Sequence, residues 1–386
     1  MLKRIIIGPT YPLRGGISES NHALQSAFKE KGGITKIVSY SLQYPDFLFP
    51  GKTQNMDDVK RSADNTFKLI NTLNPVSWIQ TIRWIIKEQP DYIIVRYWHP
   101  YFAICLSFII KILKKQSFFI IGWIDNVKPH ESIPFQHFLT SCFLKSCHTF
   151  VVMSNSVKND LMKLHSIIEG KIHFHPHPIY NVFGNTINKT VAKSNIGIKE
   201  CKEINQDRYI LFFGLIRKYK GLNLLLDVIA SKKIKALNLK LIIAGEFYDS
   251  KEKYIQKINS LNLNGRVRLY DFYIKNEDVA NYFCAADIVV QPYISATQSG
   301  VSMVAYNFNK PILLTNVGGL SEYVEHKKNG YLVDPNIDDI ALALEDFYTN
   351  NRESQFSNMI KNQKSDYTWT NLCDNFDMLY EKSKDV

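Results

Sequence analysis

This 386-residue sequence predicts an α/β protein of two doubly wound domains facing a cleft, and three observations carry that prediction. Short, continuously apolar runs such as RIIIG (4–8), SFFIIGW (117–123) and LKLIIAG (239–245) alternate with helical patterns along the chain. Runs of that kind suit parallel strands buried on both faces. The alternation comes as two successive series of similar size, parted near residues 181–208 by a polar stretch rich in Asn and Lys. Each series opens on a strand, a glycine-bearing turn and a helix, the opening of a nucleotide-binding α/β unit.

In the first series the strand 4–8 leads through PTYPLRGGIS to a helix expected over 18–31, with Ser18 as its N-cap. Gly15 and Gly16 would let a ligand approach the backbone. A strand at 35–40 follows, then irregular chain over 44–63 and helical segments to about Lys87. The strand DYIIVR (91–96) ends in the cluster Tyr97-Trp98-His99-Pro100, a helix covers about 101–114, and the strand 117–123 runs into IDNVKPHESIP. That polar loop holds Asp125, Asn126, His130 and Glu131. Ligands bind beyond the carboxyl ends of strands in open α/β sheets, so it is a candidate for chemistry, a surface loop held by Asx-turns being the plainer reading. A helix near 135–145, a strand at 149–153, a helix capped by Ser154 or Asn155 and a strand at 171–175 complete the series. The histidines of HFHPHPIY (173–180) alternate as on one strand face, but Pro176 and Pro178 interrupt the strand and no acid or Cys lies near. No metal site is expected there.

The second series opens on RYILFFGLIRKYKGLNLLLD (208–227), a buried strand, a turn at Gly214, and a loop with Arg217, Lys218 and Lys220 just before a leucine-rich helix. A helix N-terminus already carries partial positive charge and prefers acids. Three cations there make sense if an anion docks against helix, backbone N–H groups and cations together; a solvated basic loop is the alternative. Strands at 239–245, 267–270, 287–291, 311–315 and 329–333 follow, interleaved with helices at 251–261, 278–285, to about 307, and around Glu322. Helices near 337–348, 351–363 and 370–382 end the chain. The domains are expected at 1–182 and 183–367, with the helix of 368–386 packing back on the first.

Apolar residues are 45% and charged residues 22%, the composition of a globular rather than a disordered chain. A net charge of +11 favours anionic partners: nucleotides, nucleic acid or an acidic membrane surface. Nucleic acid is disfavoured because the aromatics sit in apolar strands rather than interleaving with a basic groove. The six cysteines form no CxxC pair and read as buried thiols in a reducing compartment. The opening MLKRIIIGPT enters directly as a strand, with an apolar run too short for a secretory leader. The most apolar window, 101–113, is too short to span a bilayer. A cytoplasmic chain is expected, with peripheral contact at an anionic membrane.

FFGLIRKYKGLNLLL, LIIAGEFY, AADIVVQPYISATQSGVSMVAYNFNKPILLTNVGGLSEYVEHKKNGYLV and RYWHPYFA together resemble the retaining GT-B glycosyltransferases of family 4, group 1. The likeness covers nearly the whole chain and is strongest over 209–334. It implies two Rossmann-like domains, a nucleoside-diphosphate sugar held mainly by the second, and a glycan or lipid-linked saccharide acceptor held mainly by the first. It implies no obligatory metal, because protein cations and a helix N-terminus stabilise the departing diphosphate. Arg217 and Lys220 would be those donors, with Lys218 left to solvent.

The resemblance places Gly214, Glu246, Thr297, Gln298, Ser299, Gly300, Val301 and Gly319 around the donor, with Gly15 and Gly16 closing from the first domain. Trp98, His99, Asn126 and Glu131 are implied on the acceptor side, and Asp125 and His130 join Arg217 and Lys220 as catalytic candidates. Two departures stand out. Many members carry two glutamates eight positions apart before the Lys–Pro of KPILL, where this chain has Ala296 and Val304; sugar and ribose recognition would then fall to Gln298 or Tyr306, or be weakened. A related subset has a histidine where this chain has Asp125. A GT-B nucleotide-sugar epimerase and a non-catalytic sugar-nucleotide or glycan-binding protein stay open as alternatives.

Overall fold

The computed structural model describes residues 1–13, 15–45, 64–127, 135–167, 169–180, 182–199, 208–296 and 299–384. They form two compact units, Met1–Pro178 with Thr368–Val386, and Ile179–Tyr367.

The first unit is built on seven strands: β1 (Lys3–Ile7), β2 (Ile34–Leu42), β3 (Thr66–Asn71), β4 (Tyr92–Tyr97), β5 (Phe119–Ile124), β6 (Thr149–Val152) and β7 (Ile172–Phe174). They pair in the order β3-β2-β1-β4-β5-β6-β7, all parallel. Helices α1 (Gly16–Glu30), α2 (Pro75–Glu88), α3 (Ala103–Lys115), α4 (Gln136–Ser146) and α5 (Asn155–His165) make the crossovers. The central strands are apolar because helices cover both faces: Ile5, Ile7, Ile93, Val95 and Ile120 are fully enclosed, with Phe102, Leu106 and Ile109 packed against them.

The second unit has α6 (Lys189–Asn195), β8 (Arg208–Phe213), α7 (Leu222–Ala230), α8 (Lys232–Ala236), β9 (Leu239–Ala244), α9 (Lys251–Ser260) and β10 (Val267–Tyr270). It continues with α10 (Val279–Ala285), β11 (Ile288–Gln291), α11 (Gly300–Asn307), β12 (Ile312–Thr315), β13 (Gly330–Val333), α12 (Ile337–Thr349) and α13 (Glu353–Gln363). Its six parallel strands run β10-β9-β8-β11-β12-β13. The chain starts this sheet in the middle, at β8, and builds outward in both directions. The crevice beyond the carboxyl ends of β8 and β11 is therefore the switch point where such sheets hold ligands.

The last helix, α14 (Trp369–Ser383), belongs to the first unit and packs on α1. Arg4 fixes it by donating to both carboxylate oxygens of Asp377 at 2.7 and 2.8 Å, while the Tyr92 hydroxyl donates to the same group at 2.7 Å.

Three local expectations are corrected, and a fourth falls largely outside the described residues. Helix α1 starts at Gly16 after Gly15, and Ser18 is buried inside its first turn rather than capping it. Residues 66–71, expected helical, are the edge strand β3: TFKLIN buries only Ile70 fully, so its apolar pattern is weak. The polar stretch read as linker holds α6, capped by Asn188 and anchored by buried Ala192. Residues 46–63 lie outside those described.

Candidate functional site

In the second unit the chain leaves β8 through Gly214 and returns as α7, and the loop between is held from two sides. Ile216 N–H donates to the Glu246 carbonyl at 2.8 Å and Tyr248 N–H to the Ile216 carbonyl at 3.0 Å, tying it to the chain beyond β9. Ile294 N–H donates to the Tyr219 carbonyl at 2.7 Å, tying it to the chain beyond β11. Lys218–Lys220 form one tight 3-10 turn that turns Lys218 out and Lys220 in. Lys220 is 8% exposed, although it carries the ammonium group. Its nitrogen lies 5.7 Å from the centre of the Tyr293 ring, and the Arg217 guanidinium lies 4.9 Å from the centre of the Tyr248 ring.

The described residues offer neither cation a carboxylate at ion-pair distance. Burial, with Arg217 close by, pushes the Lys220 pKa down to about 7. A cation that is desolvated and unpaired costs stability, so this arrangement has a purpose only if an anion completes it.

A β-carbon placed on Gly214 would lie 3.2 Å from Lys220 Nζ and 3.5 Å from Val301 Cγ2. Lys220 and the first turn of α11 thus converge on the glycine at the end of β8. That turn has no side-chain cap. Ser299, the N-cap residue, instead donates its hydroxyl to Gln291 Oε1 at 2.6 Å, and Gln291 Nε2 donates to Ser302 Oγ at 3.1 Å. The uncapped N–H groups of Gly300 and Val301, the helix dipole and Lys220 make an electropositive corner suited to phosphate oxygens. Tyr180 closes its side, its ring 3.3 Å from where a β-carbon of Gly300 would be. Glu246 is buried at the end of β9, and Gly319 is buried in the 3-10 turn Gly318–Glu322 after β12.

A groove of about 410 Å3 opens elsewhere in this unit, beside edge strand β13, lined by Asp334, Asp339, Asp346, His326 and Lys327 among others. Its three acids make it a poor home for a diphosphate.

The first unit presents a different arrangement. Asp125, just past β5, is 3% exposed and takes both oxygens to Arg96 of β4, from Nε at 2.5 Å and Nη2 at 2.6 Å. The same guanidinium stacks on Trp123, 3.4 Å from the ring centre. Arg96 and Trp123 are register partners on neighbouring strands, which is why they meet. Arg96 was missed from sequence, although an arginine inside an otherwise apolar strand signals a buried partner. Asp125 is thus held as a counter-ion, in a fixed pose, and Asn126 beside it is half-buried.

The aromatic cluster after β4 is more structural than expected. Tyr97 is fully buried, stacked on Phe143 and bonded to Thr140. Trp98 packs on Phe102 and donates to the Tyr44 hydroxyl at 3.2 Å, and His99 Nδ1 accepts from Tyr101 N–H at 3.2 Å, capping a 3-10 turn. Only Trp98 and His99 keep part of their surface in solvent. Tyr306 is also corrected as a ribose contact: it is fully buried, bonded to the Tyr323 carbonyl and to Asn329. Gly15 has a φ of +121° and, among the described residues, nothing within 4 Å of a β-carbon position, which suits close approach of a ligand to its backbone; Gly16 beside it is exposed. His130, Glu131, Thr297 and Gln298 lie outside the described residues.

Residues 197–366 match the model of the family described as glycosyl transferases group 1. An uncharacterized glycosyltransferase of Methanocaldococcus jannaschii is 26% identical over 238 residues, 59% of this chain and 58% of that protein. A D-inositol 3-phosphate glycosyltransferase of Pseudarthrobacter chlorophenolicus is 32% identical over 128 residues, 33% of this chain and 30% of that protein. The chain thus spans less than two thirds of the length of these curated relatives. Among solved structures, HepE of Anabaena in complex with UDP superimposes with a TM-score of 0.75 at 12% identity, over 99% of this chain and 100% of that one. With its two parallel-sheet α/β units the chain has the GT-B fold, and its residues 197–366 are similar to the glycosyl transferases group 1.

Proposed function

We propose that this chain moves a hexosyl group from a nucleoside-diphosphate sugar to a glycan or lipid-linked saccharide acceptor, with retention, in cell-surface polysaccharide synthesis. The observation that carries this reading is the buried Lys220, unpaired with acid among the described residues, converging with Arg217 and the uncapped start of α11 at the switch point of the second sheet. In sugar transfer the bond from the anomeric carbon to the phosphate oxygen breaks, and its electron pair leaves with the diphosphate. Preorganised cations and N–H groups aimed at that oxygen stabilise the charge as it grows. Two protein cations already supply the neutralisation that a divalent ion gives elsewhere. The relative that bound UDP in its crystal supports a nucleotide donor of this kind.

In this reading the first unit takes the acceptor. The Arg96–Asp125 pair fixes the floor beside Asn126, and His130 and Glu131, next along the sequence, are the candidates for meeting the incoming hydroxyl. Asp125 acts by position rather than as a free acid or base, because Arg96 engages both its oxygens. The same engagement, with Ala296 and Val304 in place of acids, favours as a second reading a protein that binds the sugar nucleotide without turning it over.

The test is incubation of the pure chain with UDP- and GDP-sugars and a panel of saccharide acceptors. Transfer is expected with one donor, and Arg217→Ala should lower it by about 100-fold, the scale of losing one preorganised charge donor. Binding without turnover on every acceptor would favour the second reading. No binding and no effect of Arg217→Ala would end both.

A further inference from the structure

The solvent side of the first unit repeats one pattern on three neighbouring helices: each begins apolar and ends basic. The exposed stripe of α2 runs from Val76 and Ile79 to Arg83 and Lys87, that of α3 from Ile104 and Phe108 to Lys111 and Lys115, and that of α4 from Phe138 to Lys145. The spacings of three, four and seven keep each stripe on one helix face. These apolar residues are well out of the core: Val76 is 60% exposed, Ile104 61% and Phe138 68%. The next helix, α5, exposes Asn155, Asn159 and Lys163 instead, so the pattern is not general to the fold.

Topology aligns the three stripes. Each helix follows a strand of one parallel sheet and runs back along it, so the apolar starts point toward the carboxyl edge of the sheet and the basic ends toward its amino edge. At 1.5 Å per residue the apolar and basic groups lie on average about 10 Å apart along each helix, as from Phe108 to Lys115 or from Phe138 to Lys145. Trp78 and Phe108 touch across α2 and α3, with ring centres 5.7 Å apart, so the apolar band is continuous between them. The sole acid on these helices is Glu88, which Lys36 holds at 2.6 Å. The five cations have no acidic partner among the described residues.

We propose that this face seats the first unit on an anionic lipid bilayer, the helix starts sinking among the headgroups and the row of cations meeting lipid phosphates. Interfacial elements bury their apolar side about 5–10 Å deep, which brings the cations of this face to the phosphate level. The chain's +11 charge draws it to such a surface. Among the described residues no helix is long and apolar enough to cross a membrane, so contact here is with the surface. The proposal deepens the reading of a lipid-linked acceptor but needs no sugar chemistry, so a binding assay without donor or acceptor tests it separately.

That assay is co-sedimentation of the full chain with vesicles of phosphatidylcholine alone or with about a third phosphatidylglycerol. Binding to the anionic vesicles is expected, with little to the neutral ones, and weakening at roughly 0.5 M salt. Neutralising Lys111→Gln, Lys115→Gln and Lys145→Gln together should lower it by about fivefold per cation. Ile104→Ser with Phe108→Ser should lower it at every salt concentration. All five positions are exposed, so an unchanged melting temperature verifies that both variants fold. Equal binding to both vesicle types, no binding, or indifference to both sets of changes would overturn the proposal. So would self-association lost in the serine variant without vesicle binding, which would assign the face to a second protein.

Discussion

Lys220 and Gly214 share one small space: the ammonium nitrogen stands 3.2 Å from where a β-carbon on the glycine would be. Gly214 also has a φ of +96°, in the region that side-chain-bearing residues avoid. Gly214→Ala therefore strains the backbone and pushes the lysine off its position at once. It should cost about 1–3 kcal/mol of stability, read by denaturant unfolding, and weaken binding of a nucleoside diphosphate in the folded fraction. An alanine variant with unchanged midpoint and affinity would show that the corner is looser than described.

The titration of Lys220 gives a pH signature. Its pKa is about 7 in the fold against an ordinary 10.5. Between those values the unfolded chain holds more protons, so this lysine makes stability rise with pH across that window. Below pH 7 the buried ammonium is charged in the fold, and its penalty is fully felt. A bound diphosphate favours the charged form and raises the pKa again. At about pH 8.5 its binding should thus take up close to one proton. Calorimetric titration with UDP in two buffers of different ionisation enthalpy measures this; an apparent enthalpy independent of buffer would contradict it.

Asp125 separates a positioning role from an acid–base one. Removing one partner of a buried ion pair costs about 3–5 kcal/mol because the other charge is stranded. Asp125→Asn should lower the unfolding free energy on that scale, and Arg96→Met combined with Asp125→Leu should recover much of it. A loss of turnover with no loss of stability would instead make Asp125 an acid or base in the reaction.

What could be read from sequence depended on how local the signal was. The strand Arg208–Phe213 and the loop of cations after it are contiguous, so an anion site there was within reach of a physical argument, while the choice of Lys220 over Lys218 came from the family resemblance. Most central strands were visible for the same reason: a strand buried on both faces is apolar throughout. Edge strand β3 was not, because it buries one residue fully and its pattern resembles the helix that follows. Nor was α6, seven residues long and anchored by Ala192 alone.

The contacts that define the site's walls are non-local. Arg96 and Asp125 are 29 residues apart and meet only through the pairing of β4 with β5. Tyr293 and Tyr248 approach the cations from two different strand ends, which no spacing in the chain announces. The resemblance placed Ser299 beside the donor, but buried Gln291, invisible as a partner, engages its hydroxyl.

The most direct test is Lys220→Met, which keeps the bulk of the side chain and removes the charge. A desolvated cation without a counter-ion is a burden in the empty protein, so the variant should unfold at an equal or higher temperature than the parent. Its affinity for UDP or GDP, whichever the parent binds, should fall by about 10- to 150-fold, the scale of a lost charged hydrogen bond. Calorimetry and thermal unfolding on the same two proteins give both numbers. Lower stability with affinity within twofold of the parent would mean that Lys220 holds the fold and not the diphosphate.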